Sequence, residues 1–211
     1  MKFSEFKRAI QKLPFFSIGH IGALTEKKKL LQNQLSQWEA QGRVIRLRRG
    51  LYMLSPEESP MTISKTQMAN QLLSPSYVSL EFALWLYGFI PEKVEEITSV
   101  TPKKTSYFRN TFGTFHYQHV KPNCFIGFRQ ENDKNNFPMM IAEPEKAIVD
   151  FFYLNLSSVP ELSPVIFDEF YRFQNTDGIS IQKMKRFAHL FQTKKLTQLV
   201  QLFCDYTQER K

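Results

Sequence analysis

Cysteine is scarce: only Cys124 and Cys204 occur in 211 residues, too few for a disulfide framework. That usage suits a reduced, cytoplasmic setting. Long apolar runs are also missing. A membrane helix needs about 20 consecutive apolar residues, whereas the densest stretch, Ala83 to Ile90, is far shorter and contains Gly88. No membrane association is therefore expected. Met1 to Arg8 holds no apolar signal core, so no leader is expected there. No Gly-rich phosphate loop and no Ser nucleophile elbow occur, and nothing implies a cofactor. The 42% hydrophobic and 23% charged residues mark an ordinary globular chain. Its 20 Phe, 8 Tyr and 2 Trp suffice for more than one core.

The net charge of +8 is concentrated. Residues 1–54 carry 11 basic side chains (Lys2, Lys7, Arg8, Lys12, Lys27, Lys28, Lys29, Arg43, Arg46, Arg48, Arg49) against Glu5, Glu26 and Glu39. The remaining 17 basic and 17 acidic residues cancel. A basic module joined to a neutral body is the layout expected of a protein that docks on a polyanion with one end.

Ser55-Pro56-Glu57-Glu58-Ser59-Pro60 reads as a linker. It divides the chain into a first domain, 1–54, and a second, 61–211. The first opens with a helix from about Ser4 to Lys12, ended by Pro14. A short second helix is expected from Ser17 through Leu24. A third begins near Thr25 or Glu26 and ends at Gln41-Gly42, glycine suiting a left-handed cap. Leu31, Leu35 and Trp38 form its buried stripe at i, i+4, i+7, and Lys28, Lys29, Gln32, Asn33 and Ser36 lie off it. Two strands follow, around Arg48-Arg49-Gly50, with Arg46 and Arg48 on one face and Ile45 and Leu47 on the other. This is the order of a winged helix-turn-helix. Gln and Asn on the third helix suit base edges, and Lys and Arg suit phosphates. The arginine hairpin suits the backbone or the minor groove.

The second domain reads as α+β. Helices are expected at about Ile63–Leu73 and, capped by Ser79, Leu80–Tyr87. Strands are expected at about Glu96–Thr101, Thr105–Arg109, Thr114–Val120, Cys124–Phe128 and Phe137–Ala142, with a polar loop at Gln130–Asn136. Pro144 opens a helix through Asn155, and Ser163-Pro164 starts another through Phe173. Met184, Phe187, Ala188 and Phe191 mark a further helix, and Leu196, Leu199, Val200 and Phe203 the last. Catalytic candidates are poor. His116 and His119 fall on opposite faces of a strand, which disfavours a shared metal. Glu143, Glu145, Lys146 and Asp150 offer a nuclease-like carboxylate and lysine set. They also read as an ordinary helix start with a Lys146–Asp150 i, i+4 ion pair.

One family resemblance emerges. Leu31-x3-Leu35-x2-Trp38-x3-Gly42, then Ile45-Arg46-Leu47-Arg48-Arg49-Gly50-Leu51-Tyr52, resembles the winged-helix end of AbiEi-type antitoxins. Tyr77-Val78-Ser79-Leu80-Glu81-x-Ala83-Leu84, Gly88-x-Ile90-Pro91-Glu92, Ile97-Thr98-Ser99-Val100-Thr101, Gly113-Thr114-Phe115-x-Tyr117 and Glu143-Pro144-Glu145-Lys146-Ala147 follow in the order of that family's antitoxin domain. The resemblance spans about residues 4 to 155. Gly19 and Gly22 depart from it, since the family's second helix is usually regular. It implies a non-enzymatic type IV antitoxin and autorepressor that binds inverted repeats in its own promoter. It further implies a cognate nucleotidyltransferase toxin as functional partner, with self-association on the DNA. The DNA-binding residues expected here are Lys28, Lys29, Gln32, Asn33, Ser36, Arg46, Arg48 and Arg49. The alternatives are a nucleic-acid-acting enzyme and a ligand-sensing winged-helix transcription factor.

Overall fold

The computed structural model describes residues 1–21, 28–59, 61–133, 136–159 and 161–210. Leu31, Leu35 and Trp38 recur on one side of α3 (Lys28–Ala40) and are buried. Around them close Phe6 and Ile10 of α1 (Phe3–Ile10), Phe16 of β1 (Phe16–Ser17) and Ile21 of α2 (Ile18–Ile21). Val44 of β2 (Val44–Arg48) and Tyr52 and Leu54 of β3 (Leu51–Leu54) complete this first core. The Phe6 ring lies 4.7 Å from Trp38 and 5.5 Å from Phe16. α3 ends as its glycine dictates. Gly42 adopts φ +72°, its N–H donates to the Glu39 carbonyl, and Arg43 N–H donates to that of Trp38, the pairing of a Schellman cap. The expected end of the second helix and start of the third fall within 22–27, outside the described residues. The three strands form an antiparallel sheet ordered β1-β3-β2.

The body is α+β around a six-stranded mixed sheet, ordered β6-β7-β5-β4-β9-β8. Its strands are β4 (Tyr77–Val78), β5 (Ile97–Thr101), β6 (Ser106–Asn110), β7 (Gly113–His119), β8 (Phe128–Asn132) and β9 (Pro138–Ala142). β6–β7 and β8–β9 are antiparallel hairpins, whereas β5 runs parallel to β7 and β4 parallel to β9. α4 (Lys65–Leu72), α5 (Leu80–Leu86) and α6 (Pro144–Leu154) pack against this sheet, and α7 (Ile181–Leu190) and α8 (Lys194–Glu209) pack on α6. The aromatic stripes of the last two helices are core: Met184, Phe187, Leu199 and Phe203 are fully buried. Phe203 meets Phe152 of α6 at 5.3 Å. No helix among the described residues is long and apolar enough to cross a membrane.

Two cores meet at one hairpin. β3 is buried along its whole length. Tyr52 and Leu54 face the N-terminal core, while Leu51 and Met53, with Leu47 and Phe15, belong to the core of the body. A register shift between Arg46 and Arg48 leaves Leu47 without a partner on β3, a bulge that re-aims the strand. The Asn110 amide of β6 donates to the Leu47 carbonyl at 3.4 Å and lies 3.8 Å from Met68 Sδ of α4. Residues 55–59 are pinned as well: Ser55 N–H donates to the Arg43 carbonyl at 2.9 Å, and Glu58 pairs with Lys7 at 2.8 Å.

Three expectations are corrected. Cys124–Phe128 is not a strand. It holds the end of a 3-10 turn (Pro122–Cys124) and Gly127 at φ +74°, and β8 begins only at Phe128. β8 then runs through Asn132, into the expected loop. The Ser163–Phe173 segment forms a single π-helical turn, Ile166–Phe170. That wider turn buries Phe167 while Asp168 accepts from the Tyr206 hydroxyl at 2.6 Å. Ser79 occupies the N-cap position of α5 without capping it, because its hydroxyl is given to Asp150.

A Cβ on residue 127 would stand 2.6 Å from Phe187 Cε1 and 3.1 Å from Lys146 Cγ. Gly127→Ala is expected to cost at least about 2 kcal/mol, combining positive-φ strain with overpacking. A chemical-denaturation midpoint measures it.

Candidate nucleic-acid interface

The side of α3 opposite its buried stripe is open. Lys29, Gln32, Asn33 and Ser36 are all exposed, so four of the expected contact residues share one surface. Lys28 opens the helix, and its side chain lies outside the described part. Ser36 Oγ donates back to the Gln32 carbonyl at 3.2 Å. Gln34, off this face, donates to the Met1 carbonyl at 2.8 Å and ties the helix to the chain start. Two further exposed residues complete the face, Leu30 (50% exposed) and Gln37. Sequence reasoning missed them, although Leu30, Asn33 and Gln37 recur at i, i+3, i+7 opposite Leu31 and Leu35.

The hairpin arginines divide. Arg46 and Arg49 are exposed. Arg48 is half-buried, with Nε enclosed and without a hydrogen-bond partner, and its Nη1 donates to the Arg49 carbonyl at 3.0 Å. The bulge before it and the body beneath the hairpin account for that difference. Lys7 and Arg43 are occupied internally: both approach Glu58, and the Arg43 guanidinium lies 4.7 Å over the Phe3 ring. By contrast, Arg8, Lys12, Lys29, Arg46 and Arg49 are exposed. No described carboxylate lies within ion-pairing distance of any of them. Exposed cations without acidic partners leave a positive field that extends into solvent.

The carboxylate and lysine set of α6 is arranged quite differently. Lys146 and Asp150 are wholly buried and ion-paired. Asp150 accepts from the Tyr77 hydroxyl at 2.9 Å and Ser79 Oγ at 3.0 Å, and Lys146 Nζ donates to the Tyr77 oxygen at 2.9 Å. Burial raises the Asp150 carboxyl above the ordinary aspartate range, opposed by Lys146, and the same burial pushes the Tyr77 phenol well up. Glu143 faces outward to Lys183 at 2.6 Å, and Glu145 accepts from the Ser180 N–H that precedes α7. The i, i+4 pair is present, but as a core crosslink between α6 and β4. Neither Lys146 nor Asp150 lines the clefts of about 570 and 540 Å³, and neither side chain is exposed.

The remaining candidates are occupied or enclosed. His116 Nε2 sits 3.0 Å from Glu96, and His119 Nδ1 2.9 Å from the Lys103 carbonyl. Among the described residues no group of three or more His, Cys, Asp or Glu side chains is placed to hold a metal. Both cysteines are buried, and burial pushes the Cys204 thiol up to about 11. No protein-family model matches the chain, and no curated protein matches its sequence.

Asp150→Ala, which strands Lys146 in the core, is expected to cost about 3–5 kcal/mol. The double change Lys146→Met with Asp150→Leu is expected to cost less than either single change, read by a double-mutant cycle. On α3, alanine at Lys29, Asn33 or Ser36 is expected to shift stability by no more than about 0.5 kcal/mol. Leu35→Ala, one turn away on the buried side, is expected to cost about 2–5 kcal/mol in the same denaturation assay.

Proposed function

We propose that this protein is a DNA-binding transcriptional autorepressor and the antitoxin of a type IV, AbiE-like toxin–antitoxin pair. In this reading the N-terminal unit is a winged helix-turn-helix. α3 enters the major groove with Gln32, Asn33 and Ser36 at the bases. Lys28, Lys29, Arg46 and Arg49 hold phosphates or the groove beside the wing, with Arg48 at its root. The observation that carries the reading is the open face of α3 together with exposed cations (Lys29, Arg46, Arg49) that have no acidic partner among the described residues, on a chain whose net charge lies entirely in residues 1–54.

The antitoxin half rests on the ordered resemblance to AbiEi-type proteins. Its partner is a cognate nucleotidyltransferase toxin, and its operator a pair of inverted repeats on which two copies would meet. The segments that carry the resemblance in the body supply β4, β5, β7 and the start of α6. Many of their residues are buried, so they speak for a shared scaffold more than for a set of toxin-contacting side chains.

A sensor reading has one observation in its favour. The cleft of about 570 Å³ is lined by apolar Leu86, Met139 and Ile141 and by polar Lys65, Thr66 and Glu131, and that size and lining suit a small molecule. Genomic neighbourhood separates the two readings: an adjacent nucleotidyltransferase reading frame favours the antitoxin.

The Arg46→Ala, Arg49→Ala double variant is expected to weaken promoter binding. It should also lower the salt slope of log K by up to about 2, because each arginine that neutralises a phosphate releases about one counterion. Gel-shift titrations at several salt concentrations measure this, and unchanged binding would count against the proposal. Growth rescue on co-expression with the toxin is expected to survive the same changes.

A further inference from the structure

From the open face of α3 we infer that the protein selects duplexes rich in A·T base pairs at the positions under this helix. Leu30 reads thymine methyl groups, and Asn33 and Gln37 read adenine. The inference rests on the duplex-binding reading above and adds base preference to it.

Leu30, Asn33 and Gln37 lie at i, i+3, i+7 and are all exposed, so they form one contiguous strip along the helix. Gln32 and Ser36 flank it on the other side of Asn33. A leucine left 50% exposed beside amides and a lysine gains free energy from any apolar group that covers it. In the major groove the apolar feature is the C5-methyl of thymine. Its base-pair partner, adenine, offers N7 as acceptor and the N6 amino group as donor. That pattern matches the donor and acceptor of a carboxamide, which is why Asn and Gln pair with it in bidentate fashion. Gln32, Asn33 and Gln37 each present such an amide, and none of these side chains hydrogen-bonds to another described residue.

Guanine is poorly served by the same face. Its O6 and N7 are both acceptors and are read chiefly by Arg or Lys. The exposed side of α3 carries no arginine. Its one described cation, Lys29, lies in the first turn of the helix, so lysine readout of guanine is confined to that end of the face. The only acidic residue on the described helix, Glu39, lies in its last turn and is half-buried, so no carboxylate is offered to cytosine N4. The hairpin adds to the same bias. Arg46 and Arg49 are exposed on the hairpin, and arginine is drawn to the narrow minor groove of A-tracts. Major-groove chemistry and minor-groove shape thus favour the same base composition.

The test is selection of the full-length protein against a duplex pool with a randomised central segment. The selected site is then titrated with thymine or with uracil, which differs only in lacking the methyl group. The expected result is enrichment of A·T pairs. Replacing thymine by uracil should weaken binding roughly fourfold per methyl contacted, and Leu30→Ala should erase the thymine–uracil difference. Asn33→Ala and Gln37→Ala should each weaken the selected site by about fivefold or more and an A·T-poor duplex by less. A pool retained without A·T enrichment, or a selected site indifferent to uracil, overturns this inference and leaves duplex binding standing. A pool from which no duplex is retained overturns the duplex-binding reading itself.

Discussion

Strand β3 is apolar on both faces, and the rest of the architecture depends on that. Along β3 the side chains alternate between two cores: Tyr52 and Leu54 pack under α3, while Leu51 and Met53 pack into the body. A strand with period-two alternation serves two layers at once only if both faces are covered. Each such side chain contributes about 1.5–3 kcal/mol by leaving water. Leu47 and Phe15 join the same contact, so separating the N-terminal unit from the body would uncover several large apolar groups together. The hairpin therefore fixes the direction in which α3 and the exposed arginines point, relative to the large domain behind them.

That constraint explains how polar groups are distributed. Among the described residues of the body, the two charges with no exposure at all, Lys146 and Asp150, form one cluster with Tyr77 and Ser79, and Glu145 is buried on the same helix. This cluster fastens the first residues of β4 to α6 across the middle of the molecule. A buried ion pair of this kind adds little net stability over an apolar pair, but it is intolerant of losing one member. The N-terminal unit does the opposite. Its core is purely apolar and aromatic, and much of its charge is kept outside and unneutralised. One part of the chain uses charge for internal registration, the other for an outward field.

How much of this was legible from sequence depended on periodicity. α3 was clear because Leu31, Leu35 and Trp38 recur at helical spacing and Gly42 marks the cap, and the open face followed directly. α7 and α8 were equally plain. β1 and β4 were missed because two residues carry no period. The start of β8 was misplaced because a strand was read through Gly127, whose φ of +74° lies outside the strand region, and the packed Phe187 ring shows why no larger residue fits there. Leu51-Tyr52-Met53-Leu54 is apolar at every position, a signal already present in the sequence that both faces of β3 are covered. Lys146 and Asp150 read as an i, i+4 pair at a helix start, and their burial follows from α6 being buried nearly all round. Arg48 was grouped with Arg46 by strand alternation, and the bulge at Leu47 broke that alternation.

The central claim is that nucleic acid is held by the N-terminal unit and not by the body, and lysine-reactivity footprinting tests it most directly. Full-length protein is acylated under mild conditions with and without duplex DNA, and modification is read residue by residue. Lys29 on α3 and the exposed body residues Lys121 and Lys194 supply the contrast within one sample. Protection of Lys29 with Lys121 and Lys194 unaffected is the predicted outcome. Protection spread evenly over all three, or confined to the body, would contradict the account.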